Sequence, residues 1–427
     1  MNDNIKNVQI SGIRKFYNEV QKVENAISLT LGQPDFELPK AIKEGLIKAI
    51  DENKTTYTSN AGIIELRDEI SKYLRTKDIS YESNEICITV GGSEALFNIF
   101  TALINKDDKV LIPTPAYPAY ESIVTMLGGK VVNYSLDDEF KINVNDIEDK
   151  IKTMNIKYLV LSLPSNPTGA ILSKEEKEKL INIIKTNDII VITDEIYEAL
   201  CYEKYYSVTQ CDDIKQKIIY VGGFSKMFSM TGLRIGYYAC CSDLMNEIIK
   251  VHQYNVSCAP SICQWAVYNG LKNGLNDVEY MKNVFSKRKE FVVNRLKEIG
   301  LEVVIPKGAF YVFPSIKQFN MKSEEFALRL LKEEKVACVP GSAFGKGGEG
   351  YLRLSYCYSD EELEEGLKRI ERFIKTLNKN YMKILFHLID IFGLIQVHSY
   401  LNQFHFAYNQ LLNKLHLLHL IQSYDLQ

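Results

Sequence analysis

The sequence predicts an α/β fold: a mostly parallel central sheet sandwiched by helices, followed by a smaller α+β domain. Three observations carry this. First, short apolar runs alternate with helix-like patterns between Ile86 and Ala239, among them Val110-Leu111-Ile112, Tyr158-Leu159-Val160-Leu161 and Ile189 to Ile192. Strands that are apolar throughout, rather than at every second residue, belong to sheets covered on both faces. Second, glycine turns and polar motifs fall where these runs end, which is where open α/β sheets bind ligands. Third, a long helical pattern from Asp277 to Ile299 leads into a different arrangement. There, strands near Glu302 to Ile305, Phe310 to Phe313, Ala337 to Val339 and Tyr351 to Ser355 alternate with helices.

Composition narrows the function classes. With 46% hydrophobic and 25% charged residues, the chain can bury a sizeable core and still face water. A formal charge of −3 gives no electrostatic ground for a nucleic-acid or membrane-surface partner. The start, Met1-Asn2-Asp3-Asn4-Ile5-Lys6, lacks the apolar centre of a signal peptide, so a cytoplasmic location is expected. Nine cysteines without metal-type spacing fit reduced thiols, and no metal site is expected.

The strand ends carry the chemistry. The run Ile86 to Val90 leads into Gly91-Gly92-Ser93-Glu94-Ala95-Leu96 and an apolar helical pattern. Ser93 is a plausible N-cap, and the glycines let a backbone approach an anion at a helix N-terminus. Tyr117, in Pro115-Ala116-Tyr117-Pro118, offers an aromatic face. Asn166, in Pro164-Ser165-Asn166-Pro167-Thr168-Gly169, and Tyr197, in Asp194-Glu195-Ile196-Tyr197, offer hydrogen-bond donors. Asp194 offers a carboxylate at the end of an apolar strand. Lys226 follows the run Ile218 to Val221 in Ser225-Lys226-Met227-Phe228-Ser229-Met230-Thr231-Gly232-Leu233-Arg234-Ile235-Gly236. A lysine can form an imine with an aldehyde, and an arginine can hold a phosphate in its planar fork. Pyridoxal 5′-phosphate carries both groups, and its ring nitrogen wants a carboxylate. Singly, each residue has an ordinary reading: a solvated lysine, an N-capping aspartate, an Asn-Pro turn, a loop tyrosine. Together, in this order, they point to that cofactor.

Over roughly the first 380 residues the chain resembles the class I/II aminotransferases of pyridoxal-phosphate fold type I. PSNPTG at Pro164 to Gly169, DEIY at Asp194 to Tyr197 and SKMFSMTGLRIG at Ser225 to Gly236 carry the resemblance. It implies that Lys226 bonds the cofactor, that Asp194 pairs with the ring nitrogen, and that Asn166 and Tyr197 meet the ring oxygen. It places Gly92, Ser93, Glu94, Ser225 and Arg234 at the phosphate and Tyr117 on the ring. Arg353, in Gly350-Tyr351-Leu352-Arg353-Leu354-Ser355, and Gly32, in Leu31-Gly32-Gln33-Pro34-Asp35, match contacts to the substrate α-carboxylate. Tyr57 matches a tyrosine that reaches the partner subunit's phosphate, which implies a homodimer with shared sites. Gly223 departs from the pattern, because many relatives place a serine there.

The same resemblance implies four parts: an N-terminal arm over 1–45 that joins the small domain, a large cofactor domain over 46–275, a small domain over 276–380, and a tail over 381–427. The tail has no Glu, Arg or Pro and holds five of the six histidines, so it reads as an appendage without a functional role. Ser11-Gly12-Ile13-Arg14-Lys15-Phe16, Val251 to Ala259 and Phe313 to Lys317 are similar to bacterial N-acetyl-diaminopimelate aminotransferases, which act with glutamate and 2-oxoglutarate. Aspartate, alanine or aromatic aminotransfer, and C–S β-lyase chemistry, stand as alternatives.

Overall fold

The computed structural model describes residues 2–379, so the expectation for the 381–427 tail lies outside the described residues. The strands, in chain order, are β1 (Ile27–Ser28), β2 (Ile86–Thr89), β3 (Lys109–Thr114), β4 (Lys130–Ser135), β5 (Tyr158–Ser162) and β6 (Ile190–Asp194). They continue as β7 (Ile218–Gly223), β8 (Gly236–Ala239), β9 (Tyr311–Val312), β10 (Val336–Ala337), β11 (Val339–Pro340) and β12 (Leu352–Ser355).

Strands β2 to β8 form one seven-stranded sheet in the order β2-β8-β7-β6-β5-β3-β4. It is parallel from β7 across to β4, and β8 runs against both of its neighbours. The fully apolar runs explain this. Every residue of β2, β5 and β8 is buried, so neither face of those strands is left for water. Helix Ile64–Arg75 lays Leu66, Ile70 and Leu74 against Ile86, Ile88 and Ile235. On the other side, Leu96, Ile99 and Phe100 of helix Gly91–Leu103 pack on Val110, Val160 and Val221. Ile147, Ile151, Leu180 and Ile184 cover Leu111, Leu159 and Val191. Each fully buried side chain of this size contributes about 1.5–3 kcal/mol.

Helix boundaries follow local chemistry. Ser173 caps helix Lys174–Thr186 and completes a capping box with Glu176. Helix Leu275–Ile299 stops at Gly300, whose φ of 90° suits glycine.

Beyond that helix, β9, β11 and β12 form an antiparallel sheet in the order β11-β12-β9. β1 pairs in parallel with β10, and the Ser355 N–H donates to Leu29 O at 2.9 Å. Phe16, Val20 and Leu29 share an apolar cluster with Leu296, Phe326, Leu330, Leu363 and Leu367. The expected strand at Glu302 to Ile305 does not form. Glu302 O accepts the Ser315 N–H at 2.8 Å, but the run goes no further as a ladder. Pro306 closes it without an N–H to donate, and Leu301, Val303 and Val304 use their apolar side chains for packing.

Candidate active site

A cavity of about 380 Å³ opens at the C-terminal ends of the parallel strands. The chain leaves β3 toward β4 and returns at β5 on the other side, so the sheet order reverses there. Eleven of the thirteen expected site residues line the cavity. Gly92 and Ser93 follow β2, Tyr117 follows β3, and Asn166 follows β5. Asp194 ends β6 with Tyr197 just beyond, and Ser225, Lys226 and Arg234 come after β7. Gly32 and Arg353 enter from the side of the smaller sheet.

Asp194 is buried, and its Oδ2 accepts the Tyr120 hydroxyl at 2.7 Å. Its Oδ1 accepts the Ile196 N–H at 3.2 Å. Burial pushes this carboxyl above its ordinary value, and those two donors oppose the shift. A cation at the open side of Asp194 would complete its neutralisation. The neighbouring Glu195 points away, because successive side chains at a strand end face opposite ways. It accepts from Thr193 Oγ1 at 2.7 Å and Ser207 Oγ at 2.5 Å. The Tyr120 oxygen also accepts the Ser162 hydroxyl at 2.9 Å, so one phenol spans two strand ends.

Lys226 Nζ donates to Gly32 O at 2.6 Å. Burial lowers its ammonium to about 8; Cys357 opposes the shift, and the charges of Arg234 and Arg353 add to it. An amine brought toward neutrality inside a cavity is a competent nucleophile.

Arg353 is buried, with Nη1 donating to Asn166 Oδ1 at 2.8 Å and Nη2 donating to Thr30 O. Its guanidinium lies 4.3 Å from the Tyr311 ring centre and 4.9 Å from that of Phe344. Its Nε has no hydrogen-bond partner, so this charge is neutralised by no carboxylate among the described residues. Tyr197 and Tyr311 share a hydroxyl hydrogen bond of 2.9 Å. Gly32 has to be a glycine, since a Cβ there would collide with the Tyr311 hydroxyl.

Arg234 sits at a φ of 56° and donates through Nη1 to Thr231 O at 2.8 Å. Gly91, at a φ of 74°, lies so close that a Cβ would stand 2.6 Å from Arg234 Nη2. The turn after β2 therefore brings bare backbone beside a guanidinium, which is a cradle for an anion. Burial and the charge of Asp194 push the Tyr117 phenol up, while Ser93, Arg234 and Arg14 oppose the shift. At Gly223, the departure from the pattern, a Cβ would lie 2.5 Å from Ile196 Cδ1, so a side chain there would require the end of Ile196 to turn aside.

Two expectations need correction. Ser93 is not an N-cap; the helix begins at Gly91 after Val90 without a side-chain cap. Glu94 does not face the cavity. Its Oε2 accepts the Val90 N–H at 2.5 Å, which takes over the capping role, and Oε1 turns to Asn98 and His252. Tyr57, expected to serve a partner subunit's site, lies outside the cavity of its own chain and is 88% exposed, which leaves that expectation standing. Sequence reasoning also missed Tyr120, Tyr311 and Arg14, which line the same cavity. Tyr120 stands in the first turn of helix Ala119–Met126, three residues after Tyr117, and the two rings meet edge to face at 5.8 Å.

The sequence model for the family "Aminotransferase class I and II" matches residues 24–370. The chain is similar to the "Probable N-acetyl-LL-diaminopimelate aminotransferase" of Bacillus subtilis, with 45% identity over 88% of this chain and 95% of that one. It is similar to the aspartate aminotransferase of Pyrococcus abyssi, with 39% identity over 88% of this chain and 98% of that one. Its fold superposes on the crystal structure of the Thermus thermophilus aspartate aminotransferase with maleate at a TM-score of 0.83, with 32% identity, 87% of this chain and 99% of that one. Members of this family use pyridoxal 5′-phosphate. A parallel sheet with a cation-rich cavity at its strand ends, and a family match across most of the length, place this chain among the class I and II aminotransferases.

Proposed function

We propose that this aminotransferase acts on dicarboxylic substrates, with an N-acetyl-diaminopimelate-type amino donor and 2-oxoglutarate as acceptor. One observation carries the proposal. Four cations, Arg14, Lys226, Arg234 and Arg353, line the cavity against a single carboxylate, Asp194. A cofactor phosphate and a substrate α-carboxylate occupy Arg234 and Arg353, and Lys226 bonds the cofactor. That leaves Arg14, at the exposed mouth, with no hydrogen bond or ion pair among the described residues. Its helix, Gly12–Val20, is anchored by buried Phe16 and Val20. Gly12 packs tightly enough that a Cβ would lie 2.8 Å from the Ala343 Cβ. N-acetyl-diaminopimelate, glutamate, 2-oxoglutarate and aspartate all carry a second carboxylate that Arg14 can bind. The 45% identity to the Bacillus subtilis protein favours the first of these over aspartate as donor.

The residues present fit pyridoxal phosphate. The Gly91–Ser93 turn with Arg234 suits the phosphate, buried Asp194 suits a protonated ring nitrogen, and Tyr117, Asn166 and Tyr197 suit the ring face and its oxygen. When bound, the cofactor supplies an electron sink for charge developing at the substrate α-carbon. With the cofactor bound, the Lys226 amine would be the base that takes the substrate α-proton and hands it on. Asp194 holds the proton on the ring nitrogen, and Tyr120 keeps the carboxylate aimed at it. Arg353 and Asn166 fix the α-carboxylate, which orients the α-hydrogen toward Lys226.

We also infer a homodimer. Tyr57 and Tyr254 are 88% and 89% exposed, as fits residues that face a second copy. The division near residues 45 and 275 is supported by the apolar cluster that joins Phe16 and Val20 to Leu330 and Leu367. Among the described residues no helix is long and apolar enough to cross a membrane.

A panel of amino donors and 2-oxo acids with the purified protein tests the substrate reading. N-acetyl-diaminopimelate with 2-oxoglutarate is expected to give the highest kcat/KM; a preference for monocarboxylic pairs would overturn it. Two variants separate the two arginines. Arg353→Lys keeps the charge and loses the fork, so kcat/KM falls about tenfold to a hundredfold for every donor. Arg14→Gln lowers kcat/KM about tenfold for dicarboxylic substrates and leaves alanine unchanged. An equal loss on alanine would show that Arg14 serves the fold and not the second carboxylate.

A further inference from the structure

We propose that His252, held as an imidazolium, neutralises Glu94 behind the Gly91–Ser93 turn and so keeps that turn attractive to a phosphate. The two are positioning residues. The inference rests on the reading that this turn and Arg234 hold the cofactor phosphate.

Glu94 is buried, and each of its oxygens is engaged. Oε2 accepts the Val90 N–H at 2.5 Å, and Oε1 accepts Asn98 Nδ2 at 2.7 Å. His252, from helix Ser242–Val256, is fully buried and places Nδ1 2.7 Å from the same Oε1. Its Nε2 lies 2.8 Å from Asn60 O. A carbonyl has no proton to give, so Nε2 carries one. Oε1 of Glu94 is an acceptor as well, so Nδ1 carries the second. The ring is then a cation between two acceptors. Asn255 Nδ2 donates to Asn98 Oδ1 at 3.3 Å, which ties the same two helices together once more.

The position of this pair gives it a consequence. Helix Gly91–Leu103 has no side-chain cap, and Glu94 takes the Val90 N–H. The next free N–H groups, in the Gly91–Ser93 turn, are left for an incoming anion. A bare carboxylate one turn behind them would repel a phosphate dianion in a poorly solvated setting. The His252 charge cancels that repulsion. It also joins the turn to the segment at Asn60, three residues from Tyr57.

The test is the affinity of the full-length protein, freed of cofactor, for inorganic phosphate, pyridoxal phosphate and pyridoxal. His252→Gln is expected to weaken phosphate and pyridoxal phosphate roughly tenfold and leave pyridoxal unchanged. Glu94→Gln should bind phosphate at least as tightly as the parent. His252→Gln combined with Glu94→Gln should recover the parent affinity, because both charges are gone. A double variant as weak as His252→Gln alone, or pyridoxal weakening in step with phosphate, would overturn the proposal in favour of plain packing. Should His252→Gln fail to fold, Glu94→Gln decides, and weaker phosphate binding in it would overturn the proposal. Arg234→Gln is the control for the underlying reading. If phosphate affinity is unchanged in that variant, the phosphate site lies elsewhere, whatever the pair does.

Discussion

Lys226→Ala is expected to abolish multiple-turnover aminotransfer and the visible absorbance of a lysine-bonded cofactor. The loss has two sources. The covalent attachment goes, and so does the base at the α-carbon, a role worth about a hundredfold to ten-thousandfold by itself. Pyridoxal phosphate should still bind, because the turn at Gly91 and Arg234 is untouched. Turnover within tenfold of the parent would remove Lys226 from the reaction. The lowered ammonium adds a pH signature. Burial brings Lys226 to about 8, so its neutral fraction grows as pH rises through that value. The rate at which cofactor-free protein bonds pyridoxal phosphate should climb between about pH 7 and pH 9. A rate flat across that range would mean that another step, or another lysine, governs attachment.

The second large effect is expected of Asp194→Asn. The amide keeps the size of the side chain and still accepts the Tyr120 hydroxyl, but it carries no charge to hold a proton on the ring nitrogen. Pyridoxal phosphate should remain bound while the half-reaction with an amino acid slows about a hundredfold to a thousandfold. Burial raises the parent's carboxyl above its ordinary value, and a close cation would oppose that shift. A fully loaded variant with the parent half-reaction rate would show that Asp194 supports the fold and not the chemistry.

Much of this was legible in the sequence, for identifiable reasons. A strand buried on both faces has no polar residues to spare, so the runs at Ile86, Tyr158 and Ile189 announce the central sheet. Lys226, Asp194 and Asn166 stand where such runs stop, and strand ends converge on one cavity. The residues that escaped are those whose role depends on side-chain direction. Glu94 sits one residue past the turn, yet its carboxylate swings back to Val90 and His252 because the helix start lacked another cap. Tyr120 reads as an ordinary helix residue until β6 brings Asp194 to its hydroxyl. Gly223 reads only as a departure from the family pattern until Ile196 Cδ1 is seen beside it. The run at Glu302 has strand composition, but pairing is a tertiary event, and its neighbours offer one hydrogen bond in place of a ladder.

The central claim is that Lys226 is the residue to which the cofactor bonds. Borohydride reduction of the cofactor-loaded protein fixes that bond permanently, and peptide mass mapping then locates it. The account predicts a phosphopyridoxyl group on the peptide holding Lys226, in stoichiometric yield. Labelling of a different lysine, with the Lys226 peptide unmodified, would contradict it.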